Sequence, residues 1–177
     1  MPLGSQFLWV ARTEGFSPDQ LLDVDEWADQ YRILPSEESA FPGRWRTHLA
    51  PYLKEIMKQL SSSSLAETVV LMKGGQTGGT NAGLNLIGAT IHLSPSPILV
   101  VQGVQRMATR SVVSRLDPMI ASTPVLRRRV SEKRARDGGN SVAHKKFPGG
   151  ELVSVTAGSA ASLRMMPVRV LILDEVD

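Results

Sequence analysis

Two short segments of this chain combine residue types that could handle a phosphorylated substrate. Residues 73–80 read K-G-G-Q-T-G-G-T, between an apolar, β-branched run (Thr68–Met72) and a stretch with Leu84, Ile87 and Ile91 at helical spacing (Asn81–Leu93). Glycines let successive backbone N–H groups turn inward around an anion. A helix that follows points its N-terminal donors and positive dipole end at the same place. Gly74, Gly75, Gln76, Thr77, Gly78 and Gly79 would then form the cradle, and the Thr80 hydroxyl could ligate Mg²⁺. The usual phosphate-loop pattern, G-x-x-x-x-G-K-[ST], has lysine where Gly79 stands. The cation available in the loop is Lys73, at its first position. It is expected to fold back over the loop and set its ammonium near the β- and γ-phosphates. Taken alone, the segment reads equally as a glycine-rich turn without a ligand.

The second segment is L-I-L-D-E, Leu171–Glu175. An apolar strand ending in Asp-Glu is what a Walker B strand looks like. Asp174 would hold Mg²⁺, and Glu175 would orient and deprotonate an attacking water. The bland alternative is two solvated acids at a strand end. The strand matters because it carries the acids to the crevice at the carboxyl end of a sheet, beside the phosphate loop.

The elements that must position these groups are legible as patterns. Val24–Arg32 predicts a helix, with Asp23 and Glu26 at capping-box spacing and Val24, Trp27, Ala28 and Tyr31 on one face. Pro35–Trp45 reads as an irregular loop. Pro51–Leu60 predicts a second helix with Leu53, Ile56, Met57 and Leu60 inward, and Ser61–Ser64 a surface linker. Thr68–Met72 and Ile98–Gln102 predict strands, each followed by a helix (Asn81–Leu93 and Val104–Leu116), which suggests a parallel α/β sheet. Ser141–Phe147 and Glu151–Thr156 flank Pro148-Gly149-Gly150 as a hairpin, and Val168–Leu173 is a further strand.

Composition narrows the function classes. The 177 residues suffice for one domain with a buried core. The net charge of +3 permits nucleic-acid contact without arguing for it. With no cysteine, disulfides, thiolate metal sites and cysteine nucleophiles are excluded. His48, His92 and His144 lack metal or triad spacing and read as structural. No apolar run has the length of a membrane-spanning helix, and Phe7–Ala11 is too short for a signal-peptide core, so the expected location is the cytoplasm.

Further segments carry a resemblance. Trp27-Ala28-Asp29, Leu34-Pro35, S-A-F-P-G-R-W-R-T (Ser39–Thr47), the V-V-L-M-K-G-G-Q-T-G lead into the loop, L-N-L-I-G (Leu84–Gly88), P-I-L-V-V-Q (Pro97–Gln102), R-L-D-P-M-I (Arg115–Ile120), F-P-G-G (Phe147–Gly150) and the segment Leu163–Asp177 come in the order of one family. They resemble the N-terminal part of lambda-type phage terminase large subunits. The resemblance implies an α/β fold, a partial RecA-like P-loop ATPase with a short helical lead-in. Residues 1–64 would be that lead-in and 65–177 an incomplete ATPase core ending just after Walker B. It implies Mg²⁺-dependent ATP hydrolysis coupled to translocation of double-stranded DNA into a procapsid. Implied partners are the terminase small subunit and the portal, and a homo-oligomer when full length; the family's nuclease is expected to be absent from this chain. Some members carry the loop lysine at its start, which Lys73 matches. Gln76 and Thr80 match loop positions, Asp174 and Glu175 the Walker B acids, and Phe41 falls where an aromatic would lie against adenine, with core packing as the alternative.

Arg127–Arg136 is a basic run that could touch DNA phosphates or simply be a solvated face. Arg164 could sense the γ-phosphate of a neighbouring subunit's nucleotide or serve as a surface arginine. Two other functions compete: a different P-loop DNA motor such as a helicase, and a truncated, non-catalytic prophage remnant.

Overall fold

The computed structural model describes residues 21–36, 39, 41–75, 77–130, 141, 143–158, 163 and 167–176. The expectations for Gln76, Arg164 and residues 131–136 of the basic run lie outside them.

The first helix, α1 (Val24–Tyr31), begins where the capping signal places it. The Glu26 carboxylate accepts the Asp23 N–H at 3.1 Å. The next free N–H, that of Val24, is taken by the Ser61 hydroxyl at 2.8 Å, which itself donates to the Met57 carbonyl. Ser61 is therefore buried, not part of a surface linker; its hydroxyl meets one of the donors that every helix start leaves open. Gly43–Arg44, within the expected irregular loop Pro35–Trp45, is instead a short strand: β1 (Ile33–Leu34) pairs antiparallel with β2 (Gly43–Arg44). After a short 3₁₀ turn (Thr47–Leu49) comes α2 (Tyr52–Gln59), with Leu53 and Met57 fully inward and Ile56 and Leu60 at the core margin.

The long helix α3 (Gly79–Leu93) is the spine of the molecule. Its Leu84, Ile87 and Ile91 are buried, as the spacing predicts. The outer edge of the Trp27 indole of α1 lies against Gly88, where an added Cβ would stand 2.1 Å from Cη2 of the ring. The Trp27 indole donates to His92 Nδ1 at 3.1 Å. Arg32 is buried at 1% exposure beneath the first turns of α3. Its guanidinium donates to the Asn81 carbonyl at 3.1 Å, to Asn81 Oδ1 at 2.8 Å and to Asn85 Oδ1, and it stacks on Trp45. A rigid fork of donors thus fixes the helix that starts at the glycine loop.

The sheet runs β4-β5-β3-β6, from β3 (Ile98–Gln102), β4 (His144–Phe147), β5 (Gly150–Thr156) and β6 (Val170–Asp174). β3 is parallel to both β5 and β6, and β4 closes the expected hairpin antiparallel to β5. Because side chains alternate between faces, Ile98, Leu152, Val170 and Ile172 pack on the main core with α3, while Leu99, Val101 and Val155 form a smaller cluster on the other face. The architecture is a mixed sheet with parallel strands flanked by helices, as expected for a partial RecA-like core.

Two expectations are corrected. Thr68–Met72 is not a strand: it pairs with no other segment among the described residues, and Val70 and Met72 are exposed. A β-branched run acquires strand structure only when a neighbour's backbone meets its donors and acceptors. The helix expected over Val104–Leu116 is α4 (Gln105–Ser111), followed by a π turn (Val112–Leu116), α5 (Asp117–Ser122) and α6 (Pro124–Arg127). Pro118 accounts for the widened turn, since it has no N–H to give the Ser114 carbonyl and its ring crowds that oxygen in a regular α-helix. Lys145 of β4, almost fully buried, ties the hairpin to α5 through Asp117 at 2.7 Å. No helix among the described residues is long and apolar enough to cross a membrane.

Candidate nucleotide site

The glycine loop leads directly into α3. Thr77 closes it by donating its hydroxyl to the Gly74 carbonyl at 3.1 Å. Gly78 takes φ +81°, the left-handed conformation that only glycine adopts without strain. Its carbonyl accepts the Asn81 N–H at 2.9 Å, so the loop passes into the helix without a break. Leu53 of α2 lies against Gly78 from behind.

Lys73 folds back along this turn. Its Cδ lies 2.4 Å from where a Gly79 Cβ would be. The glycine at the usual lysine position therefore leaves the channel through which the displaced lysine runs. The Lys73 ammonium ends 3.6 Å from Glu175 Oε1. Both partners are solvent-accessible, Glu175 the more so, and this pair contributes only about 0–1 kcal/mol.

The strand acids arrive from the opposite side. Asp174 ends β6 and lies beside Gln102, which ends β3 in register with it. The Gln102 amide nitrogen is 3.5 Å from Asp174 Oδ2. Glu175 leaves the strand with φ +50°, a conformation non-glycine residues seldom hold and one that concentrates at functional sites. Its carbonyl accepts the Gly103 N–H at 3.1 Å.

Lys73, Thr77, Gly78, Gly79, Thr80, Asp174 and Glu175 line one cleft of about 870 Å³. Of the residues singled out from sequence, Phe41 stands apart: it is 73% exposed, which removes the core-packing alternative, and it does not line this cleft. Gly74 and Gly75 lie in the loop's outer part.

Sequence reasoning missed several cleft residues, four of which bear on its chemistry. Gln102 is one; a polar residue closing an otherwise apolar strand was the available signal. The others are Arg106 and Arg110, four apart on α4, and Arg115 in the π turn. With Lys73 they set four cations against the two carboxylates, a balance that draws a polyanion. The oxygen donors at the acidic end, a threonine hydroxyl and a carboxylate, suit a hard divalent cation such as Mg²⁺.

The fold defines a class: a partial RecA-like α/β nucleoside-triphosphatase core, with a mixed sheet of parallel strands flanked by helices. The model of the family "Phage terminase large subunit gpA, ATPase domain" matches residues 39–177, and the chain belongs to that family. It is also 28% identical over 156 residues to the "Terminase, large subunit" of Enterobacteria phage P21. That match takes in 88% of this chain and 24% of the relative, so the chain spans about a quarter of the relative's length. No solved structure matches the chain.

Proposed function

We propose that this chain is the ATP-hydrolysing part of a motor that drives double-stranded DNA into a procapsid, with residues 65–177 as the ATPase core and residues 1–64 as its helical lead-in. The observation that carries the proposal is the convergence of Lys73, Thr80, Asp174 and Glu175 on one cleft at the start of α3 and the carboxyl ends of β3 and β6. Family membership supports it independently.

In this reading the amides of residues 74–80 and the Lys73 ammonium hold the nucleotide's phosphates, with Gln76 among the loop positions. Thr80 and Asp174 would hold Mg²⁺, which when bound would supply charge neutralisation at the nucleotide's phosphates. Glu175 orients water and takes its proton. Glu175 holds a positive φ just past the strand end, and its carboxylate lies 3.6 Å from the Lys73 ammonium. Phe41, exposed and outside the cleft lining, is the proposed aromatic partner for adenine by the family resemblance. The lead-in braces the chemistry at a distance: Arg32 and Trp27 fix α3, and through it the loop. Double-stranded DNA, a terminase small subunit, a portal and further copies of the chain are the proposed partners.

The test is phosphate release from Mg·ATP together with nucleotide binding in the Glu175→Gln variant. Loss of hydrolysis with binding retained supports Glu175 as the group that activates water; unchanged hydrolysis removes it from that role.

A further inference from the structure

Gln102 is 94% buried, with 6% of its surface exposed, at the end of a strand whose other residues are apolar. Its amide nitrogen lies beside the Asp174 carboxylate. Its amide oxygen has no hydrogen-bond partner among the described residues. Strand alternation puts Gln102 and Asp174 on the face that also carries Val100 and Ile172, the face against which α3 packs. Gln102 also lines the cleft with Thr80 and Glu175.

Buried side-chain oxygens are nearly always hydrogen-bonded, and one left unmet works against folding. Methionine has about the length of glutamine and would fill the same space with no polar atom to satisfy. A glutamine here makes physical sense where a hydrogen-bond donor brought into the cleft meets its oxygen. The cleft it faces is the proposed nucleotide site, and among the described residues its amide nitrogen is within hydrogen-bond distance of the carboxylate proposed to hold Mg²⁺.

We infer that Gln102 is a positioning residue for the metal side of the site: its amide nitrogen steadies the Asp174 carboxylate, and its amide oxygen accepts a hydrogen bond from water in the nucleotide-loaded cleft. This rests on the ATP-binding reading above. It adds a residue from the neighbouring strand that sets the carboxylate's orientation, so its effect should follow the metal, not the nucleotide alone.

The experiment compares the full chain with its Gln102→Met variant. A non-hydrolysable ATP analogue is titrated calorimetrically into each, once with excess Mg²⁺ and once with chelator, and the thermal midpoint of each empty protein is recorded. The expected result is about a tenfold loss of affinity with Mg²⁺, unchanged affinity in chelator, and a midpoint equal to or above that of the parent chain. Equal affinity with Mg²⁺ overturns the inference, as does an equal loss in both conditions. A lowered midpoint makes Gln102 a structural residue and also overturns it. A parent chain that binds no analogue at all would instead defeat the ATP reading itself, and the inference with it.

Discussion

The Lys73 side chain runs through the space that a side chain at position 79 would need, its Cδ 2.4 Å and its Cε 3.0 Å from the site of a Gly79 Cβ. The missing lysine of the loop pattern and the lysine at the loop's start are therefore one feature. Glycine at one end of the loop makes room for the cation supplied from the other.

Gly79→Ala follows directly. The obstructing atoms belong to two side chains, chiefly the flexible Lys73 with Leu71 Cδ2 at 3.0 Å, so the new methyl displaces Lys73 and leaves the backbone in place. Stability should hold, because alanine at a helix start is at least as favourable as glycine. Affinity for an ATP analogue should fall about tenfold, or about 1.4 kcal/mol. Calorimetry and thermal unfolding on the same sample separate the two effects; unchanged affinity would mean that the path of Lys73 is immaterial.

A second glycine behaves in the opposite way. At Gly88 the obstruction is the Trp27 ring, fully buried and tethered to His92, and a rigid core ring cannot step aside. Gly88→Ala should cost about 3 kcal/mol or more, at the upper end of overpacking effects. Gly83→Ala is the control, since its nearest contact, Ile172 Cγ2, lies at 3.8 Å. Denaturant unfolding should find that control as stable as the parent or more so. Comparable losses at both positions would contradict the packing described.

Asp25 gives a pH signature. Burial pushes its carboxyl above the ordinary value near 3.8, against the smaller opposing pull of its backbone hydrogen bonds and Lys58. One of its oxygens is buried without a partner among the described residues. The folded state therefore holds this proton more tightly than the unfolded chain does. Stability from this group is present below the unfolded pKa and is lost as pH rises through the folded one. Asp25→Asn should raise the thermal midpoint at pH 7 by more than at pH 4. An equal or larger gain at pH 4 would rule out this origin.

Much of this was readable in the residues, and what was not has identifiable causes. Periodicity located α1 and the buried stripe of α3 because one-sided burial writes itself into spacing. Pro148-Gly149-Gly150 announced the β4–β5 hairpin because turn chemistry is local. Thr68–Met72 misled because strand propensity says nothing about whether a neighbour is there to pair. The π turn before Pro118 was hidden because the sequence shows only that a regular helix is disturbed, not how the chain accommodates it. Ser61, in a serine run that looked like linker, caps a helix 37 residues away in sequence, a contact no local pattern encodes. Lys73 and the two acids were legible as motifs. Gln102 and the arginines of α4 and the π turn were not, because their roles come from the register of β3 against β6 and from the helix that follows.

The central claim is that the loop is a working phosphate site with its lysine displaced to the first position. The most direct measurement is calorimetric titration of a Mg·ATP analogue into the parent chain, its Lys73→Ala variant and a Lys58→Ala control. The account predicts binding by the parent chain, a loss of about a hundredfold or more in Lys73→Ala, as removal of a charge-assisted contact implies, and no change in Lys58→Ala. Equal binding by the parent chain and Lys73→Ala, or no binding by either, would contradict it.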